Sequence, residues 1–255
     1  MDNRPVGFLD SGLGGISVLG EALRVLPEED FLYFGDTLNI PYGDKPPEEV
    51  YRCTHAAVDE LISRGCKAIV IACNTATSVA AAQLRQELPL PIIGMEPALK
   101  PASLLPGEGH VLVMATQNTL KLPKFQALMA LYGRDAIPLP CSGLMECVEE
   151  GLLTGERVET LLGELFRPYR DEKIKAVVLG CTHYPFLKDT ISRFFPLQTA
   201  LMDGNLGTVK QLRRRLEEEG LLSSGPGGQV TFLSSMAGEE PIRRMQNMLE
   251  MWQHR

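Results

Sequence analysis

The sequence predicts an α/β protein made of two similar doubly wound parallel-sheet domains, with the active site in the cleft between them. Short apolar runs alternate with helical patterns along the chain, which is typical of parallel sheets covered by helices on both faces. Two of these runs are nearly the same, KAIVIAC at 67–73 and KAVVLGC at 175–181. Burial alone makes such strands alike because Val, Ile, Ala and Gly fill them, but it does not explain the cysteine that ends both.

The remaining elements follow the same alternation. Apolar runs bounded by turn residues predict strands at 6–10, 31–35, 68–72 and 91–95, with helices at 15–26, 48–64 and 75–87. The order then repeats, with strands at 110–115, 136–140, 176–180 and 199–202 and helices at 120–132, 144–150, 157–169 and 185–195. A last helix, strand and helix are predicted at 207–219, 229–233 and 239–252.

Two breaks divide this alternation into domains. Pro97 and Pro101 interrupt the chain after the fourth strand, and Asp203-Gly204-Asn205 follows the eighth. The predicted domains are therefore residues 1–96 plus 207–255, in which the C-terminal segment returns to the N-terminal domain, and residues 97–206.

Composition excludes several classes of protein. The chain of 255 residues is 44% hydrophobic and 22% charged, which is ordinary for a globular protein. A net charge of −7 without long like-charge blocks gives no footprint for nucleic acid or for an anionic membrane. Neither a run of about 20 apolar residues nor a signal peptide is visible, so we expect a cytoplasmic protein.

The cysteines predict reduced thiols and no metal site. The six cysteines form no CxxC pair, and a chain of this size needs no disulfide framework. Cys181 and His183 lie two residues apart, but the other three histidines are scattered and do not supply further ligands at a recognised spacing.

A glycine-rich turn, Asp10-Ser11-Gly-Leu-Gly-Gly15, follows the first strand. It could be part of a dinucleotide site, with Asp36 ending the second strand. Two features weaken that interpretation: Ser17 occupies the third glycine position, and Asp10 would repel a pyrophosphate. The glycines still let backbone N–H groups approach a small carboxylate.

Cys73 and Cys181 each lie at a predicted junction between a strand and a helix. A thiol beside a helix N-terminus can have its pKa lowered because the helix dipole favours thiolate. The alternative is a buried, inert cysteine, which is the expected state of Cys53 and Cys66. His183, two residues after Cys181, is either a packed histidine or a group that relays the proton of that thiol.

Five motifs taken together resemble the glutamate racemase family, within the aspartate/glutamate racemase superfamily. They are Asp10-Ser11-Gly-Leu-Gly-Gly, Gly35-Asp36-Thr, Pro41-Tyr42-Gly43, Ala72-Cys73-Asn74-Thr75-Ala-Thr and Gly180-Cys181-Thr182-His183-Tyr-Pro. The resemblance runs from Val6 to about Trp252. It implies cofactor-independent interconversion of L- and D-glutamate, which supplies D-glutamate for peptidoglycan. Members are often dimers, so the resemblance allows a homodimer.

The resemblance also implies roles for single residues. Cys73 is the acid/base for the proton of D-glutamate and Cys181 for that of L-glutamate. Asp10 assists Cys73, and His183 assists Cys181 together with Glu149, whose neighbour Glu150 is the alternative. The positions expected to line the substrate site are Ser11, Pro41, Tyr42, Gly43, Asn74, Thr75, Thr116, Thr119 and Thr182.

This chain departs from the family at a few positions. Leu122 stands where serine is usual and Phe125 where tyrosine is usual, and Gly204 replaces a common serine. These changes affect local packing and side-chain pairing. Three other functions stay open on the sequence: an aspartate racemase of the same superfamily, a nucleotide-binding protein, and a thiol-based redox or metal-binding module.

Overall fold

A computed structural model describes residues 2–254, which form two compact units. The first unit contains residues 2–95 and 205–254, and the second contains residues 96–204. Each unit has its own sheet, in which every strand pairing is parallel. The two parallel-sheet α/β domains predicted from the sequence are thereby confirmed.

The described residues form nine strands and eleven α-helices. The strands are β1 (Val6–Asp10), β2 (Phe31–Gly35), β3 (Ala68–Ile71), β4 (Ile92–Gly94), β5 (His110–Ala115), β6 (Ala136–Pro140), β7 (Ile174–Leu179), β8 (Ala200–Asp203) and β9 (Val230–Ser234). The helices are α1 (Ile16–Val25), α2 (Pro47–Ser63), α3 (Asn74–Glu87), α4 (Leu99–Ser103), α5 (Gln117–Lys121), α6 (Pro123–Tyr132), α7 (Leu144–Glu149), α8 (Glu156–Phe166), α9 (Lys188–Ser192), α10 (Asn205–Glu218) and α11 (Glu240–Gln253).

Both sheets place their cysteine-bearing strand beside the first strand of the unit. The order is β4-β3-β1-β2-β9 in the first sheet and β6-β5-β7-β8 in the second. All residues of β1, β2 and β3 are buried, because helices cover both faces of a doubly wound sheet. In such sheets ligands bind beyond the carboxyl ends of the strands, which is where Cys73 and Cys181 lie.

A buried ion pair lies at the opposite end of the first sheet, where its strands begin. Lys67 Nζ lies 2.6 Å from Glu29 Oε2, and both side chains are almost completely buried. Lys67 also donates to the carbonyl of Asp2, and the backbone N–H of Ser223 donates to Glu29 Oε1 at 2.8 Å. Four segments of the chain, near residues 2, 29, 67 and 223, therefore meet at one pair of charges.

The C-terminal helix covers the start of the first unit. Helices α1 and α11 pack together, and the ring of Trp252 lies against Gly20 so closely that a Cβ at Gly20 would overlap it. Glycine is thus the residue that this helix contact requires at position 20. The contact attaches the end of the chain to its beginning.

The sequence-based bounds were wrong at three places. The single helix expected at 120–132 is two helices, because Pro123 begins α6 and Leu122 before it is extended. The helix expected at 185–195 begins as a 3-10 turn, Tyr184–Leu187, and continues as the short α9. Helix α4, which follows the proline-containing break, was not predicted.

Among residues 2–254, no helix is both long and apolar enough to cross a bilayer.

Candidate active site

Cys73 caps a helix with its own thiol. It follows β3 with extended dihedral angles (φ −140°, ψ 124°) and is the N-cap of the 14-residue helix α3. The backbone N–H of Ala76 donates to its Sγ at 3.5 Å. Because the free N–H groups of a helix N-terminus carry partial positive charge, this position favours the thiolate form. The side chain is buried, with 7% of its surface exposed.

The turn after β1 holds a buried carboxylate in the same unit. Asp10 is fully buried, and its Oδ2 accepts a hydrogen bond of 2.9 Å from Gly12 N–H. A Cβ at Gly15 would lie 2.6 Å from the Asp10 Cβ, so the glycine allows this close packing. Ser11 Oγ lies 4.0 Å from Cys73 Sγ, which joins the turn to the thiol. The predicted neighbours Ser11 and Cys73 are therefore brought together.

The amide of Asn74 is buried without a protein partner. Asn74 is 5% exposed, and neither its Oδ1 nor its Nδ2 has a hydrogen-bond partner among residues 2–254. A buried amide without a hydrogen bond costs about 1–3 kcal/mol. A buried amide next to Cys73 that makes no hydrogen bond within the described part of the protein is a candidate for binding a ligand. Thr75, the next residue, is also buried.

The loop of Pro41, Tyr42 and Gly43 packs against the Cys73 side of the first unit. Tyr42 is 1% exposed and belongs to the same buried cluster as Cys73. Its hydroxyl donates to Asp36 Oδ2 at 2.6 Å. Burial, aided by the negative charge of Asp36, raises the pKa of Tyr42 above its usual value. The hydroxyl therefore stays protonated and holds Asp36 in place.

Cys181 is the first member of a chain of three groups in the second unit. Its Sγ lies 3.5 Å from His183 Nδ1, and His183 Nε2 lies 2.7 Å from Glu149 Oε1. Cys181 follows β7, and Glu149 ends α7, which begins after Gly143 in a left-handed conformation (φ 85°). Glycine adopts that conformation at little cost.

The surroundings of His183 favour its protonated form. Burial by itself lowers the pKa of this fully buried imidazole, but the hydrogen bonds and negative charges of Cys181 and Glu149 outweigh burial and raise the pKa well above 6.5. An imidazolium next to a sulfur stabilises thiolate. The two candidate thiols therefore have unlike neighbours: a helix N-terminus and Ser11 for Cys73, and an imidazole with its carboxylate for Cys181.

The structure separates the two adjacent acids, Glu149 and Glu150. Glu149 contacts His183 and is largely buried, with its side chain 12% exposed. Glu150 faces solvent and forms an ion pair with Arg157, which follows it on the surface. Of the two, only Glu149 is placed to act on His183.

Three predicted threonines lie at the carboxyl end of the second sheet. Thr116 is the N-cap of α5 and accepts a hydrogen bond of 3.2 Å from Thr119 N–H. The Thr116 hydroxyl donates to Thr119 Oγ1 at 2.9 Å. Thr182, which lies between Cys181 and His183 in the sequence, is buried. These hydroxyls follow β5 and β7, the two neighbouring central strands.

Two buried tyrosines that the sequence did not indicate support the candidate residues. The Tyr33 hydroxyl donates to the Gly12 carbonyl at 2.7 Å and so fixes the turn that carries Asp10. Tyr184 directly follows His183 in the sequence, and its hydroxyl donates to the Cys141 carbonyl at 3.0 Å. A tyrosine in a fully buried run is the signal that could have found them, because its hydroxyl must be satisfied inside the protein.

The other four cysteines have surroundings that keep them protonated. Burial raises the pKa of Cys66 to about 12, and it also raises the pKa of Cys53, Cys141 and Cys147. Within residues 2–254, no cysteine forms a disulfide and no three His, Cys, Asp or Glu side chains are grouped as metal ligands.

Comparison with known proteins defines the class. Residues 18–212 match the family model of the Asp/Glu/Hydantoin racemases. The match covers more than half of the chain and includes Cys73, Cys181, Glu149 and His183. The protein is therefore a racemase of the isomerase class.

Individual relatives narrow the class. The chain is 48% identical over 255 residues to a glutamate racemase of Clostridium perfringens, which covers 98% of each chain. It superposes on the glutamate racemase of Thermus thermophilus bound to β-chloro-D-alanine with a TM-score of 0.82, at 35% identity over 97% of this chain and 94% of that one. For the Escherichia coli glutamate racemase bound to L-glutamate the TM-score is 0.86, at 28% identity over 98% and 95%. This chain belongs to the glutamate racemase family.

Proposed function

We propose that this protein interconverts L- and D-glutamate without a cofactor, by moving the Cα proton between Cys73 and Cys181. The observation that carries the proposal is the repeated cysteine at the carboxyl end of β3 and of β7, with different partners in each unit. Racemisation needs one group on each face of a carbon, and equal side chains in unequal surroundings meet that need. The D-glutamate formed would supply peptidoglycan synthesis.

In the proposed reaction one cysteine is a thiolate and the other a thiol. With D-glutamate bound, the Cys73 thiolate takes the proton from Cα and becomes a thiol. The Cys181 thiol gives its proton to the opposite face of Cα and becomes a thiolate, so that L-glutamate is formed. The reverse reaction exchanges these two roles. Both thiols must reach the same Cα, at the separation of about 3–3.5 Å that near-attack geometry requires.

In this proposal Asp10 assists Cys73 and His183 assists Cys181, so the two directions of racemisation use different assisting groups. Protonated His183, held by Glu149, stabilises the Cys181 thiolate after L-glutamate forms. Asp10, fixed by Gly12 N–H, assists Cys73. The helix N-terminus of α3 stabilises negative charge on Cys73 and on the carbanion that forms beside it.

Amides and hydroxyls hold the substrate in this proposal. The unmatched amide of Asn74 is placed to bind a carboxylate or the amino group next to Cys73. The other groups proposed for the first unit are Ser11, Pro41, Tyr42, Gly43 and Thr75, and those for the second are Thr116, Thr119 and Thr182. Because burial strengthens hydrogen bonds to a charged ligand, neutral groups suffice to hold a dicarboxylate.

The test is solvent deuterium incorporation into each enantiomer of glutamate, with no cofactor added. We expect Cys73→Ala and Cys181→Ala to lose racemisation by more than a thousandfold, because each removes one of two required proton carriers. Cys53→Ala, which replaces a half-buried thiol of the first unit, is the control and should keep the activity. Full racemisation by Cys73→Ala or by Cys181→Ala would refute the two-cysteine mechanism.

Parallel measurements distinguish the alternatives. If aspartate is racemised faster than glutamate under the same conditions, the substrate assignment is wrong. Binding of NAD or ATP without any proton exchange would favour the nucleotide interpretation. The structure supports the racemase over that reading, because the Gly12 N–H already donates to Asp10.

A further inference from the structure

The repeated segment carries a second residue whose surroundings differ between the two units. Lys67 and Lys175 each precede their cysteine by six positions and lie at the opposite end of the strand. Each ammonium contacts the backbone carbonyl of the segment before the first strand of its sheet, that of Asp2 for Lys67 and that of Leu105, at 3.5 Å, for Lys175. The two lysines therefore occupy equivalent places.

Their charges are balanced differently. Glu29, the partner of Lys67, lies two residues before Phe31, which pairs with Val6. In the second sheet Ala136 pairs with Val111, and the residue two positions before Ala136 is Arg134. A cation thus stands at the place of the acid. Among residues 2–254, no carboxylate oxygen lies within 4 Å of Lys175 Nζ.

Lys175 lines a cavity of about 560 Å³ at this end of the second sheet. That volume is within the range of small-molecule sites, about 300–1,000 Å³. One wall is aromatic: Phe166 lies with its ring centroid 4.7 Å from that of Phe195 and 5.6 Å from that of Phe194. Phe194 is 38% exposed, so part of this apolar wall is open to solvent.

Basic side chains exceed acidic ones around this cavity. The basic residues are Arg167, Arg170, Lys173 and Lys175, and the acidic ones are Glu108 and Glu172. Both acids have cationic neighbours: Glu108 Oε2 lies 3.7 Å from Lys173 Nζ, and Glu172 Oε2 lies 3.7 Å from His110 Nε2.

Arg167, Arg170 and Lys175 have no carboxylate within ion-pair distance inside the described part of the chain. In a protein of net charge −7, such a local excess of cations attracts anions to the cavity.

We propose that this cavity is a second binding site, for a small anion that carries a flat apolar ring. The acidic group of the ligand contacts Lys175, as Glu29 contacts Lys67 in the first unit, and Arg167 and Arg170 add charge at the opening. The ring packs on the phenylalanines. Cys181 lies six positions after Lys175 along β7 and the residues that follow it, roughly 20 Å at 3.3 Å per residue, so the site is separate from the candidate active site.

The experiment is calorimetric titration of the whole protein with 1-naphthyl phosphate at low ionic strength. We expect Lys175→Gln to weaken binding about tenfold, the effect of losing one charged hydrogen bond. Arg170→Gln, which changes an exposed side chain and cannot disrupt the core, should weaken it several-fold. Lys188→Gln removes the same charge from an exposed side chain of the second unit that does not line the cavity, and it is the matched control; its affinity should equal that of the unmodified protein.

Two further titrations complete the test. Saturating D-glutamate should leave the affinity for 1-naphthyl phosphate unchanged, and inorganic phosphate alone should bind much more weakly because it lacks the ring. Equal affinities for Lys175→Gln, Arg170→Gln and the unmodified protein would overturn the proposed site. So would displacement by D-glutamate, and phosphate binding as tightly as the aryl phosphate would overturn the proposed ligand class.

Discussion

At the scale of single residues, side chains of the same type have different surroundings in this protein. Asn39 and Asn74 are both near the candidate site. Asn39 Nδ2 donates to both carboxylate oxygens of Asp36, at 2.9 and 3.0 Å. Among residues 2–254, the Asn74 amide has no hydrogen-bond partner. One asparagine thus contributes to the fold, whereas the other is a cost to the fold that only a ligand can recover.

Replacing each asparagine by alanine should separate these roles. We expect Asn39→Ala to lower the free energy of unfolding by about 1–3 kcal/mol, since it leaves buried Asp36 with fewer hydrogen bonds. Asn74→Ala should leave it unchanged or raise it by about 1 kcal/mol, while weakening glutamate binding at least tenfold. Urea unfolding and Michaelis constants measure the two effects. A large loss of stability in Asn74→Ala would mean that its amide is already satisfied in the protein.

The pair of His183 and Glu149 predicts a pH dependence of stability. The pKa of His183 is raised in the folded state, so its protonated form stabilises the fold. This contribution is complete below the unfolded value near 6.5 and is lost as the pH rises through the folded pKa. Glu149→Gln should therefore lower the free energy of unfolding by about 1–3 kcal/mol at pH 6, and the difference should shrink at higher pH.

Denaturant titrations at a series of pH values check this expectation. Glu150→Gln is the control, because its exposed ion pair with Arg157 contributes at most about 1 kcal/mol. A stability loss in Glu149→Gln that grows between pH 6 and pH 9 would contradict the direction of the pKa shift.

At the scale of elements, the close approach of β5 and β7 positions Cys181. A Cβ at Gly180 would lie 2.6 Å from the carbonyl oxygen of Met114, a backbone atom that cannot turn aside. Gly180 N–H donates to the same oxygen at 2.7 Å. The two strand ends can therefore approach this closely only with glycine before the cysteine.

Gly180→Ala should push these strand ends apart. We expect a loss of about 1–3 kcal/mol in the free energy of unfolding, as for other overpacked sites, together with a fall in kcat because the next residue is Cys181. Gly207→Ala is the matched control. A Cβ there meets no atom within 4 Å, and Gly207 lies exposed in α10, so alanine should stabilise the protein by about 0.5–1 kcal/mol. Thermal unfolding would show whether the two substitutions change the free energy of unfolding in opposite directions, and initial rates would show the change in kcat.

The sequence predicted elements where one physical signal dominates. The bounds of β1, β2 and β5 agree with the expected ones, since a run buried on both faces has little alternative. Those of β6 agree as well, although most of its residues are part-buried or exposed. It also predicted that Cys73 and Cys181 follow equivalent strands. The resemblance favoured Glu149 over Glu150 as the acid beside His183, but the residues alone did not decide between them, because adjacent helix residues differ only in direction, and direction depends on packing. Helix α4 was missed because Pro97 before it and Pro101 within it indicate a break.

At the scale of the whole molecule, the first unit is built from both ends of the chain. Strand β9 pairs with β2, and the Lys67–Glu29 pair joins segments near residues 2, 29, 67 and 223. Charges this deeply buried stabilise only as a pair, because either alone is strongly unfavourable. Because Ser223 contacts Glu29 and Asp2 contacts Lys67, the ion pair couples the packing of the C-terminal segment to that of the N-terminal segment.

Lys67→Met should leave Glu29 buried without a countercharge. We expect the free energy of unfolding to fall by about 3–5 kcal/mol, and the double variant Lys67→Met/Glu29→Leu to recover most of the loss. Arg64→Ala, which breaks an exposed pair with Glu60 at 2.8 Å, should cost no more than about 1 kcal/mol. Circular dichroism during urea unfolding measures all three. A double variant as unstable as the single one would show that the pair itself, and not the unpaired acid, is decisive.

The helix contact between Trp252 and Gly20 has an optical consequence. Trp252 is the single tryptophan of the chain, and its ring is fixed in the first unit. Light absorbed at wavelengths selective for indole therefore excites that unit alone. The emission of the indole reports on the contact between α1 and α11, and should shift to longer wavelength when unfolding exposes the ring to water.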